Sequence, residues 1–189
     1  MTSVIIDHIR PTLHDNNAAL AFIYCAYNDR MKAEDLIRSL LKQIASQVPF
    51  VPDEVKNLAD LYKSPNKPTP RANDVIQTLR SITSRFARVY VVIDALDECS
   101  DDDRTDLLDA LNKLRPLMNI LVTSRPVASI KVSLRADLEQ CIAAANDDII
   151  SYVEAQITGK RLKLSDELFK KPELRSQIVS ELVASAKGM

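Results

Sequence analysis

The sequence predicts an α/β fold, a parallel sheet covered by helices on both faces. Two observations carry that expectation. Apolar runs at 18–27, 88–96 and 119–124 alternate with segments of helical periodicity along the chain. The first of these runs is apolar throughout, as strands buried on both faces are, rather than alternating. At 189 residues the chain is also long enough for one α/β domain with a core.

Each element has a local reason. Val4, Ile5, Ile6, Ile9 and Leu13 make a helical stripe over 2–14 that Pro11 stops or bends. AALAFIYCAY at 18–27 is a buried strand. Leu36, Ile37, Leu40, Leu41, Ile44 and Val48 share one face of an amphipathic helix over 33–48. A short helix is expected over 52–62, with Pro52 at its start. SPNKPTPR at 64–71 is a proline-rich loop. Asn73 reads as the N-cap of a helix reaching Phe86, with Val75, Ile76, Leu79 and Ile82 inward. RVYVVIDAL at 88–96 is the clearest strand. The loop DECSDDD follows, and its last aspartates complement the dipole of a helix over 102–115 whose buried face is Leu107, Leu108, Leu111 and Leu114. NILVTS at 119–124 is the third strand, and LEQCIAA at 138–144 is a weaker strand candidate. Asn146 caps a helix over 147–158, and helices at 165–171 and 173–187 finish the chain.

Composition narrows the function classes. The net charge of -1 gives no electrostatic footprint for nucleic acid or for an acidic membrane surface, so neither is expected as a partner. No apolar run approaches the ~18 residues that a membrane span needs. The N-terminal stretch carries Asp7 early and has no small-residue cleavage site, unlike a signal peptide. Cys25, Cys99 and Cys141 are far apart, odd in number and free of any C-x-x-C spacing. Neither a disulfide framework nor a zinc site follows, and reduced thiols in the cytoplasm are expected. His8 and His14 do not share a helical face and read as ordinary surface or interface residues. Only two glycines occur, Gly159 and Gly188, so the chain cannot supply a phosphate-cradling loop, which needs several close together.

Chemistry is expected where ligands bind in open parallel sheets, beyond the carboxyl ends of the strands. One such end reads Val91-Val92-Ile93-Asp94-Ala95-Leu96-Asp97-Glu98. A carboxylate at the end of an apolar strand is costly unless a cation or hydrogen bonds satisfy it. Magnesium bound to nucleotide phosphates is one such partner, held by Asp94 directly or through water. Asp97 or Glu98 would then orient an attacking water. A strand that simply ends in a solvated acidic loop fits the spacing equally well. The other end is Val122-Thr123-Ser124-Arg125-Pro126, where Arg125 could reach a terminal phosphate. A surface arginine before a turn-forming proline is the simpler reading of Arg125 alone. The two motifs in order, one helix apart, say more than either.

VYVVIDALDEC followed by a helix and NILVTSRP resembles the NACHT modules of fungal STAND proteins, including nephrocystin-like N-terminal NTPase domains. AFIYCAYND resembles that family's second strand, DDIISYVEAQI the helix after its last strand, and IVSELVASAKGM the start of its next helical region. The resemblance implies a three-layer P-loop NTPase-like parallel sheet and an ATP- or GTP-binding signalling switch that uses magnesium. Such modules sit between an effector domain and ankyrin, WD or TPR repeats and are linked to fungal non-self recognition. Asp94 matches the magnesium-coordinating Walker B aspartate, Asp97 and Glu98 the acidic pair, and Arg125 the sensor position.

The chain departs from the family pattern at its start. The G-x-x-x-x-G-K-[ST] loop and first strand would lie immediately before SVIIDHI, so the expectation is a partial NTPase core over 1–158 and the start of a helical region over 159–189. NTP binding is expected to be weak or absent and turnover negligible. Without the first strand, strand 119–124 would pair with 138–144 or become an exposed edge that invites self-association. Expected partners are full-length NACHT relatives or a second copy, through a pseudo-NTPase adaptor role. A third reading, an unrelated metal-dependent hydrolase using Asp94, Asp97, Glu98 and Asp101 to Asp103, lacks any histidine near the cluster.

Overall fold

The computed structural model describes residues 2–13, 17–26, 32–63, 69–143, 145–158 and 171–185. The chain divides into two compact units, Met1–Ala136 and Asp137–Met189. The expected boundary at 158/159 abuts residues outside the described ones, and the helix expected at 165–171 lies, but for residue 171, outside them.

The first unit runs α1 (Thr2–Ile9), a 3-10 turn (Arg10–Leu13), β1 (Ala18–Tyr24), α2 (Ala33–Ala45), α3 (Asp53–Leu61), α4 (Ala72–Thr83), β2 (Arg88–Asp94), α5 (Asp101–Leu114), β3 (Asn119–Val122) and α6 (Ala128–Leu134). The second holds α7 (Asn146–Thr158) and α8 (Pro172–Ser185). These two helices pack through Ile149, Val153, Ile178 and Val179, with Arg175 and Glu154 paired at 3.4 Å.

The sheet is parallel in the order β1-β2-β3. Ala18 lies opposite Arg88 and Tyr24 opposite Asp94, while Tyr90 faces Asn119 and Ile93 faces Val122. Successive side chains of a strand point to opposite faces, so each strand feeds two cores. Ala19, Ala21, Ile23, Val89, Val91 and Ile93 meet the apolar faces of α2, α4, α5 and α6. Leu20 and Val92 turn the other way, onto Ile6, Ile9 and Leu13 of α1 and the turn after it. Helices thus cover both faces, giving the α/β layering that the apolar runs predict. The α1 helix tightens into a 3-10 turn one residue before Pro11, whose missing N–H ends the regular ladder.

The two sheet edges differ. At β1 the outward main-chain groups of Leu20 and Phe22 are satisfied by carboxamides from α2 and the turn after it. Gln47 accepts from the Leu20 N–H at 3.0 Å and donates to the Leu20 carbonyl at 2.8 Å. Gln43 does the same for Phe22, at 3.0 and 2.9 Å. Gln43 in the last turn of α2 and Gln47 in the turn beyond it reach alternate residues of one strand edge. At the other edge β3 pairs with β2 alone among the described residues, and Leu121 is 37% exposed.

Three local expectations are corrected. Residues 138–143 form no strand, and Leu138 and Ile142 are 85% and 62% exposed. Of the two alternatives for 119–124, the exposed edge is the one found. Asn73 is not an N-cap but lies inside α4, which begins at Ala72 after an extended Arg71. Residues 128–134, for which the sequence suggests no element, form α6, and Ile130 anchors it in the core.

Candidate functional site

The carboxyl ends of β2 and β3 meet around one carboxylate. Asp94 closes β2, and its Oδ1 accepts hydrogen bonds from two hydroxyls. Thr123, just past β3, donates from Oγ1 at 2.5 Å, and Thr2, the first residue of α1, donates from the opposite side. Thr2 is buried, so α1 directs its N-terminal hydroxyl inward at the sheet rim. Thr123 Oγ1 also accepts the Ala95 N–H at 3.0 Å, and the Thr123 main chain bonds Ile93 and Leu96 at 2.9 and 3.0 Å. These bonds fix the rim in the register of the sheet.

The segment after Asp94 is folded residue by residue. Ala95 takes a left-handed conformation, φ 54° and ψ 48°, which costs a residue with a Cβ about 1 kcal/mol and persists only where its surroundings hold it. The reversal drops Leu96 into the core, where it is fully buried, and starts a short 3-10 turn, Leu96–Glu98. Asp97 then faces Arg125. Its Oδ1 accepts the Arg125 N–H at 3.0 Å and its Oδ2 lies 3.4 Å from Nε. The carboxylate side chain is only 10% exposed, whereas the guanidinium side chain is 80% exposed. Asp97 therefore holds the backbone of Arg125 and leaves most of the guanidinium in solvent. Glu98 is half-buried on the same turn.

Cys99 ends this turn and meets Cys25, which follows β1. Their Sγ atoms are 3.1 Å apart. The Cys25 N–H donates to the Asp94 carbonyl at 3.0 Å, which carries the β1–β2 ladder one residue further. The hydrogen bond with Cys99, then burial, pushes the Cys25 thiol well above the ordinary range. The same hydrogen bond lowers Cys99.

The acidic run after Cys99 is structural. Ser100 caps α5, its hydroxyl accepting the Asp103 N–H at 3.3 Å. Asp103 reaches back to α2 and accepts the Ala33 N–H at 3.0 Å, capping a helix that lacks a cap of its own. The Ser100 hydroxyl first, then the Ala33 N–H, hold the Asp103 carboxyl below the ordinary carboxylate range. Asp101 pairs with the buried Arg104, which also donates to the Cys99 carbonyl at 3.3 Å. No group of three or more His, Cys, Asp or Glu side chains among the described residues is arranged to hold a metal ion.

Of the four residues singled out from sequence, Asp94, Asp97 and Arg125 share this rim, and Glu98 adjoins them. Sequence reasoning missed Thr2, Thr123 and the pairing of Cys25 with Cys99. The available signal for Thr2 was its place ahead of an apolar helical stripe. For Thr123 it was its register one residue past the partner of Ile93. The oxygen set at Asp94, one carboxylate with two hydroxyls, fits magnesium, which takes oxygen ligands and retains several waters. No glycine occurs in residues 1–158.

Among the described residues no helix is long and apolar enough to cross a membrane. No curated protein and no solved structure matches the chain. A family model, nephrocystin 3, N-terminal, matches residues 1–125, from α1 through the rim to Arg125. With most of the 189 residues, and every residue of this rim, inside that match, the chain belongs to the nephrocystin 3 N-terminal family.

Proposed function

We propose that this chain is the Walker B and sensor side of a NACHT-type signalling switch of the STAND class, and that by itself it neither binds nor hydrolyses ATP or GTP. One observation carries the reading: Thr2 and Thr123 converge on Asp94 at the carboxyl rim of the sheet. A helix-start hydroxyl beside a strand-end aspartate is the arrangement in which a Walker A Ser/Thr and a Walker B Asp share magnesium. Asp94 would hold the ion, directly or through water, with Thr2 as its hydroxyl partner. Asp97 positions Arg125, whose exposed guanidinium is free to meet a terminal phosphate. Glu98 would orient a water. Phosphate affinity in this arrangement comes chiefly from a glycine-rich loop and its lysine, which these 189 residues do not contain.

Thermal unfolding with Mg-ATP and Mg-GTP tests both halves. The chain alone is expected to shift by under about 1 °C, because a ligand stabilises only in proportion to its occupancy. A shift of several degrees that Asp94→Asn abolishes would overturn the lack of binding. A chimaera carrying a strand and G-x-x-x-x-G-K immediately before Thr2 is expected to bind Mg-nucleotide, and to lose it with Asp94→Asn. A folded chimaera indifferent to both would overturn the assignment of the rim.

The open edge of β3 favours a second reading, an adaptor that pairs with another copy of itself. Sedimentation velocity is expected to show a concentration-dependent dimer that Leu121→Lys dissolves. A monomer at all concentrations would end this reading.

A further inference from the structure

We propose that Cys25 and Cys99 are a modification site, a thiol pair that closes to a reversible intramolecular disulfide between the end of β1 and the turn after β2. The sulfurs are 3.1 Å apart, so a bond of ~2.05 Å needs an approach of about 1 Å. Both main chains beside them are held in register. Cys25 is tied to the Asp94 carbonyl at 3.0 Å, and Cys99 to the Leu96 carbonyl at 3.3 Å. Both thiols are free and half-buried, open enough for a small oxidant and close enough to exclude a bulky one. The partners stand 74 positions apart in the chain, so the bond would also cross-link the unfolded chain over a long loop. The site does not depend on nucleotide binding.

Hydrogen peroxide is a sufficient oxidant. The thiolate of one cysteine attacks a peroxide oxygen and breaks the O–O bond. That gives a sulfenic acid, and the departing hydroxide takes a proton to leave as water. The second sulfur then attacks the sulfenic sulfur and displaces its hydroxyl as a second water. Two thiols and one peroxide become one disulfide and two waters, and the two electrons pass from sulfur to oxygen. Because the turn between Ala95 and Cys99 carries Asp97 and Glu98, closure anchors that turn covalently to β1.

The test uses the full chain with Cys141→Ser, which removes the exposed third thiol as a source of cross-links between molecules. After stoichiometric peroxide, both remaining thiols are expected to be lost to a thiol-counting reagent. The mass should fall by two hydrogens, and the tryptic peptides bearing Cys25 and Cys99 should be joined until dithiothreitol separates them. Adding Cys25→Ser should instead leave Cys99 carrying an extra oxygen. Two thiols surviving a peroxide dose that oxidises Cys141 in the parent chain would overturn the proposal. So would oxygen addition at either cysteine of the pair, or a cross-link between molecules, in place of the internal bond.

Discussion

Asp103 shows how much can depend on one side chain at this rim. It belongs to α5 but caps α2, and its depressed carboxyl pKa records the hydrogen bonds it accepts from Ser100 and Ala33. A group whose folded pKa lies below its unfolded value of ~3.9 adds stability above that value. That stability is lost as pH falls through the folded pKa. Asp103→Ala should therefore cost about 1 kcal/mol at neutral pH, the usual scale of a lost helix cap. The gap between the two proteins should close as pH falls below ~4. Urea unfolding at both pH values measures it, and a gap that stays constant would sink the assignment. Residue-scale features divide sharply in legibility. Asp94, Asp97, Glu98 and Arg125 follow from strand ends in sequence. Asp103 reads from sequence as part of a dipole-complementing run, because its partner Ala33 lies 70 positions away. The Cys25–Cys99 contact is hidden for the same reason: it is made by the register of β1 on β2, and no spacing rule encodes it.

At the scale of elements, α2 does two jobs. Its apolar face builds the main core, and Gln43, with Gln47 two residues past its end, seals the edge of β1. Replacing either glutamine with leucine keeps the helix but strands an N–H and a carbonyl at a partly buried edge. Each loss should cost about 1–3 kcal/mol, more than a surface substitution would. Denaturant midpoints of the single and double variants check this. A cost within the scatter of ordinary surface changes would show that water replaces the carboxamides without loss. The sequence reveals α2 as amphipathic but leaves Gln43 and Gln47 looking like ordinary polar residues. The three long apolar runs are legible as strands because their neighbours in the sheet are themselves apolar. LEQCIAA at 138–144 shares their hydrophobicity only in part, and its described residues, 138–143, form no strand. The short α6 was obscured by the Pro126 turn before it and by the exposure of Val132 on its outer face.

Among the described residues of the first unit, one core side is built from α2 to α6 and the other from α1 and the turn after it. The rim therefore depends on the thin side, since α1 delivers Thr2 to Asp94 through an eight-residue helix held mainly by Ile6. The parallel α/β architecture was legible in the sequence because it follows from patterning over many residues. The chemistry was legible only as a pair of strand ends, and its third contributor, Thr2, becomes visible once the helix is docked.

The contrast between the two sheet margins sets a limit on assembly. Among the described residues one margin is stoppered by glutamines and the other pairs with no further strand, so a copy that docks through β3 would use up that margin of both molecules at once. Growth then has nowhere to continue, and association ends as a closed two-fold pair rather than a fibre. Unstoppering the glutamine side would remove that terminus, turning a finite partner exchange into open-ended stacking.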